Sequence, residues 1–147
     1  MMKYGCSGNP GKHKIYKLAN RDKPNSIALF EAAELEYYGK GFDSSPNLQR
    51  AYDYYVKAVN ANDYNALAGW ALGYMLYNYT NEKDPLYNAK VNELESLSFE
   101  VRVMKAAELL KKSFECGCPA AANVLGKILT DPKIDNSIKS HLTKSLH

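Results

Sequence analysis

Apolar positions recur at three- and four-residue spacing along most of this chain, the signature of helices that bury one face. Leu48, Ala51, Tyr52, Tyr55, Ala58 and Val59 mark one such face, and Val103, Ala106, Ala107, Leu110 and Phe114 mark another. Residues 66–77 are apolar on nearly every side, which predicts a helix covered from several directions, the central element of a stack. Near the C-terminus Ile134, Ile138, Leu142 and Leu146 keep a four-residue spacing, predicting a capping helix over 134–146. The pattern is all-α with short connections, so consecutive helices are expected to run antiparallel.

Helix breakers divide the pattern. Gly5, Ser7, Gly8, Pro10 and Gly11 predict an irregular start over residues 1–12, followed by a short helix over 13–20. Asn25 or Ser26 is a plausible N-cap for a helix reaching Tyr38, closed by Gly39-Lys40-Gly41. Ser45-Pro46 reads as an N-cap followed by proline at the first helical position, opening a helix that ends near 60–63. A polar break over 80–85 precedes a stretch at 86–98, read as an insertion holding a short extra helix that starts at Asp84-Pro85. The next helix spans about 100–116 and stops at Gly117. Pro119 opens another that reaches Thr130 and breaks at Asp131-Pro132.

Two stretches are versions of one another. Ala28, Ala33, Leu35 and Tyr37 recur 40 residues later as Ala68, Gly73, Met75 and Tyr77, with a weaker third copy at Ala121, Leu125, Gly126 and Ile128. Self-similarity at this period predicts a helical repeat array, in which each unit buries its apolar face by stacking on the next. Three segments follow: a basic N-terminal arm or remnant of a preceding helix (1–23), the array (24–132, insertion at about 80–98), and the capping helix (133–147). Starting in mid-pattern suggests a piece of something longer. So few repeats expose apolar ends unless capped, which permits self-association through an end face.

The residues from Ala32 to Phe42, with Ala51, Tyr54, Lys57 and Ala58, resemble the Sel-one-like repeat, a relative of the tetratricopeptide repeat. Leu72-Gly73-Tyr74-Met75 and Leu125-Gly126-Lys127-Ile128 match the same segment, and Lys105-Ala106, Lys112 and Gly117 match the second helix and exit turn. Glu36, Leu76 and Leu129 depart from the family by standing where it usually has tyrosine, and Tyr64 replaces an exit glycine. The resemblance implies a right-handed superhelix of two to three antiparallel helix pairs that scaffolds complexes through a concave groove. Ala33, Ala58, Gly73 and Gly126 suit that fold, because close helix approach needs small side chains. By register the groove positions are Phe30, Glu34, Tyr37 and Tyr38 in the first repeat. The second supplies Trp70, Tyr74, Tyr77 and Asn78, and the third Asn123 and Lys127. Aromatic anchors among polar groups have the composition of a peptide-binding surface, although Phe30 and Trp70 suit core packing equally. Bacterial repeats of this kind also resemble the sensing or dimerisation part of some transcription regulators, an alternative role.

Composition changes the picture little. The 12 tyrosines suit a binding surface, because tyrosine gives contact area at low entropic cost. An AT-rich coding sequence would raise Tyr, Asn and Lys equally well. The net charge of +3 is uneven: residues 1–24 carry six basic residues against Asp22 alone. Such an arm can meet an acidic partner, but a solvated tail or linker is its commoner role, and without a helix-turn-helix no specific nucleic-acid binding is expected. No apolar leader or membrane span is evident, and Cys6, Cys116 and Cys118 lack framework spacing, which together suggest a reducing, cytoplasmic setting. His13, His141 and His147 lie in terminal segments, away from any general-base position within the repeats. Cys116-x-Cys118 is too small a set for a zinc site, and Gly11-Lys12-His13 lacks the glycine, Ser/Thr and strand of a phosphate loop. The expected function is therefore a non-enzymatic adaptor for a protein or peptide, with no cofactor and no metal.

Overall fold

The computed structural model describes the backbone at residues 9–79 and 90–145, with side chains at 11–79 and 90–144. Among the described residues every regular element is a helix. The chain divides into two compact units, Met1–Ala68 and Gly69–His147.

The first unit holds α1 (Asn9–Ala19), α2 (Ser26–Tyr37) and α3 (Leu48–Asn60). α1 starts earlier than the glycines and proline of residues 1–12 predict. Pro10 falls in its first turn, where a missing N–H costs nothing because that donor has no partner within the helix. α2 is capped by Asn25, whose side chain accepts from the Ile27 and Ala28 N–H groups at 2.7 and 3.1 Å. Its exit is the expected glycine turn: Gly39 adopts φ +69°, and the Lys40 N–H donates to the Leu35 carbonyl at 2.8 Å.

α3 begins after Asn47, not at Ser45-Pro46 as the sequence suggests. The Asn47 side chain caps the Arg50 N–H at 3.0 Å, while the Asn47 N–H donates to the Glu36 carbonyl at 2.8 Å. One residue thus satisfies orphan groups at two helix ends, which a cap at Ser45 would forgo. Leu29, Ala32, Ala33, Leu35, Ala51 and Tyr55 form the buried seam of this unit.

α4 (Ala66–Asn78) opens at the unit boundary. Asn65 accepts from the Ala68 N–H at 2.9 Å, repeating the Asn25 cap 40 positions on. The connection into α4 also grips the start of α2: Asp63 Oδ2 accepts from the Ser26 N–H at 3.4 Å, and Asn65 Nδ2 donates to the Ser26 carbonyl at 3.5 Å.

The second unit continues with α5 (Asn92–Glu95), α6 (Phe99–Glu115), α7 (Ala120–Thr130) and α8 (Asn136–Ser145). Leu72, Met75, Val103, Leu110, Ile128 and Leu142 are buried there. Gly73 lets α4 approach α6 closely, since a Cβ at that position would stand 2.7 Å from Leu110 Cγ. Buried Arg102 donates to the Leu76 carbonyl at 2.8 Å and lies 5.7 and 5.5 Å from the Tyr79 and Phe99 ring centroids. Burial lowers its pKa. The end of α4 is therefore tied down as the end of α2 is, by a group at or near the start of the following long helix.

Three expectations need correcting here. Phe114 is 51% exposed because Ser113, three residues after Leu110, takes the inward position instead. Gly126 meets nothing within 4 Å at its missing Cβ, so it makes no close helix approach. Ile134 is buried but lies in the turn before α8, which starts later because Asp135 accepts from the Ser137 N–H at 2.8 Å. The expected break at 80–85, the Asp84-Pro85 start and Leu146 side chain lie outside the described residues. Within the predicted insertion, the described residues hold one short helix, α5, which begins after an extended Val91.

Candidate binding surfaces

In the first unit the relevant residues share one side of α2, because positions three, four and seven apart on a helix align. Phe30, Glu34, Tyr37 and Tyr38 stand at that spacing. Phe30, Glu34 and Tyr37 are half-buried, whereas Tyr38 is 61% exposed. The rings of Tyr37 and Tyr38 meet edge to face at 4.9 Å between centroids. Behind them α3 supplies Tyr55, whose hydroxyl donates to Glu34 Oε2 and whose ring lies 6.0 Å from that of Phe30.

Burial raises the pKa of Glu34, and the Tyr55 hydrogen bond only partly opposes it. Burial also raises Tyr38, with the Glu34 charge adding to the effect. Tyr55 is raised far more strongly, by burial first and then by Glu34. This surface is therefore a carboxylate set among phenol rings and held by a buried hydroxyl. Such a set offers a ligand aromatic faces and a carboxylate acceptor.

The second unit gathers its own set. Trp70, Tyr74 and Tyr77 are half-buried on α4, while Asn123 and Lys127 are exposed one turn apart on α7. The Tyr77 hydroxyl donates to Asp131 Oδ2 and lies 3.5 Å from the Lys127 carbonyl, so this ring joins α4 to the end of α7. Burial alone would raise the Asp131 pKa. The Tyr77 hydroxyl, the Lys133 N–H and nearby lysines outweigh that and leave it lowered. Asn78 is buried, and its Nδ2 donates to the Tyr74 carbonyl at 3.1 Å, which gives it a helix-closing role.

Two residue groups stand out that the sequence reading did not select. Glu36, a departure from the repeat pattern, is buried and accepts from the Tyr16 hydroxyl, with Arg50 at 3.9 Å. This anchors α1 onto α2, and burial followed by the Glu36 hydrogen bond raises the Tyr16 pKa. Above it Phe42 is half-exposed beside the His13 and Tyr16 rings, at 5.0 and 5.1 Å. A cleft of about 590 Å³ lies beside Lys23, Val56, Lys57, Asn60 and Asp63. Only the mismatch of Glu36 with the Sel-one-like pattern that the sequence resembles hinted at any of these.

Among the described residues no group of three or more His, Cys, Asp or Glu is placed to hold a metal ion. No described helix is long and apolar enough to cross a membrane. Comparison with protein-family models, curated proteins and solved structures finds no match for this chain.

Proposed function

We propose that the chain is a non-catalytic interaction domain that holds a peptide or protein segment along the aromatic face of α2; the α4 face is a separate candidate surface within the second unit. The observation that carries this reading is Tyr38: a large ring left 61% exposed beside a half-buried carboxylate and the half-buried rings of Phe30 and Tyr37. Such rings give a partner contact area at little conformational cost, and the carboxylate fixes its register. The finer fold in this reading is the superhelix of Sel-one-like repeats. Its support is the matching asparagine caps at Asn25 and Asn65 and the paired Ala33 and Gly73 positions.

The test is selection of binding peptides from a displayed random library, followed by calorimetry with purified protein. Tyr38→Ala is expected to weaken the selected peptides by about tenfold or more, or about 1.4 kcal/mol, at an unchanged melting midpoint. Peptides that bind folded Tyr38→Ala and Trp70→Ala as tightly as wild type would place the interaction elsewhere and refute the reading.

A further inference from the structure

Glu34 and Glu36 both lie in the last turn of α2, yet their surroundings differ. Glu36 has a cation at hand, the Arg50 guanidinium at 3.9 Å. Glu34 is half-buried, is held through Oε2 by the Tyr55 hydroxyl, and makes no ion pair among the described residues. A carboxylate withdrawn from water and bonded by a single neutral donor has unmet demand for positive charge. Tyr37 and Tyr38 stand beside it, meeting at 4.9 Å, with Tyr38 mostly open to solvent. Aromatic faces next to a carboxylate attract a cation twice over, through the ring quadrupole and through the charge.

We propose that Glu34, Tyr37 and Tyr38 form a recognition pocket for one arginine side chain of a peptide partner, resting on the interaction-domain reading above. Arginine suits it better than lysine. Its planar guanidinium stacks on a phenol ring while an N–H from its edge reaches the carboxylate, and it sheds water at lower cost. Two turns N-terminal on the same stripe, Ile27 is 57% exposed and offers an apolar contact. Seven helical residues rise about 10.5 Å. Three residues of a polyproline-II segment rise about 9.3 Å and bring side chains back to the same side. The favoured ligand therefore carries an apolar residue three positions from the arginine.

The probe is acetyl-Leu-Ser-Ser-Arg-Ser-Ser-Leu-amide, which presents that spacing in both directions, against the same peptide with citrulline or lysine replacing arginine. Amide shifts are followed by NMR during titration. The arginine peptide is expected to give saturable shifts centred on residues 27–38. The citrulline peptide, isosteric but neutral, should bind about tenfold more weakly or less. Glu34→Gln keeps an acceptor for Tyr55 while removing the charge, and should abolish the preference for arginine over citrulline. Tyr38→Ala, at an exposed position, should weaken the arginine peptide without altering the melting midpoint. The assignment is overturned by equal binding of arginine and citrulline peptides, by tighter binding of the lysine peptide, by shifts centred elsewhere, or by no binding at all. Library-selected peptides that need Tyr38 but lack arginine would remove this inference and leave the interaction-domain reading intact. Failure of the selected peptides and the arginine probe alike would remove both.

Discussion

At the scale of single residues, the tyrosines do more than their number suggests. Tyr16, Tyr55 and Tyr77 each donate to a carboxylate, at Glu36, Glu34 and Asp131 respectively. Each pair ties together elements distant in sequence, and burial leads the causes that raise each phenol pKa. Tyr55, 1% exposed, is the most committed of them. Tyr55→Phe keeps the ring and strips the donor from a half-buried carboxylate, so it should cost about 2 kcal/mol. Chemical denaturation measures this directly, and a change within experimental error would show that water replaces the hydroxyl. The helical spacing of Tyr55 marked it as inward, but nothing in the sequence paired it with Glu34. That pairing spans 21 positions and depends on how α3 lies on α2.

At the scale of helices, the sequence was readable where its pattern reflects local chemistry. Asn25 and Asn65 cap their helices alike, and the small residues Ala33 and Gly73 occupy matching positions. The third copy misled at Gly126, because a glycine in a pattern does not reveal whether another helix approaches it. Substitution separates the two glycines. Gly73→Ala gains up to about 1 kcal/mol of helix propensity but drives a methyl against the branch carbon of Leu110, a contact of 2.7 Å. Overpacking of that kind costs about 1–3 kcal/mol, so a net destabilisation is expected. Gly126→Ala meets nothing within 4 Å in an exposed stretch of α7 and should stabilise by about 0.5–1 kcal/mol. Thermal melts of the two variants should shift in opposite directions. A shift in the same direction would mean either that α6 yields at Leu110 or that Gly126 is covered. The Ser45-Pro46 start failed for a related reason. A proline at a plausible first position competes with an asparagine that closes two helix ends together.

At the scale of the whole molecule, the all-helical class was legible because apolar periodicity reports burial directly. The carboxylate environments were not, because they depend on which helix faces them, and they decide how the protein responds to acid. Glu34 and Asp131 should act in opposite senses. Burial raises the folded pKa of Glu34 above its ordinary 4.5, so over the interval above 4.5 the folded state holds a proton that the unfolded chain has released. Stability from this group is present below 4.5 and falls as pH rises through the raised value. Asp131 is lowered below its ordinary 3.8, since hydrogen bonds from Tyr77 and Lys133 outweigh burial. Its contribution is present above 3.8 and is lost as pH falls through the lowered value. Stability measured between about pH 3 and 7 in wild type, Glu34→Gln and Tyr77→Phe resolves the two. Relative to wild type, Glu34→Gln should gain as pH rises above 4.5, because it no longer carries a charge into a half-buried position. Tyr77→Phe should be destabilised at neutral pH by about 1–2 kcal/mol, with the deficit shrinking as Asp131 takes up its proton. Parallel curves for all three proteins would show that neither carboxylate senses the fold. The arginine pocket adds a constraint on Glu34. A bound guanidinium favours the charged form, so the arginine peptide should lower the Glu34 pKa and weaken or abolish the stability loss on raising the pH. An unchanged slope in the saturated protein would mean that the guanidinium does not reach this carboxylate.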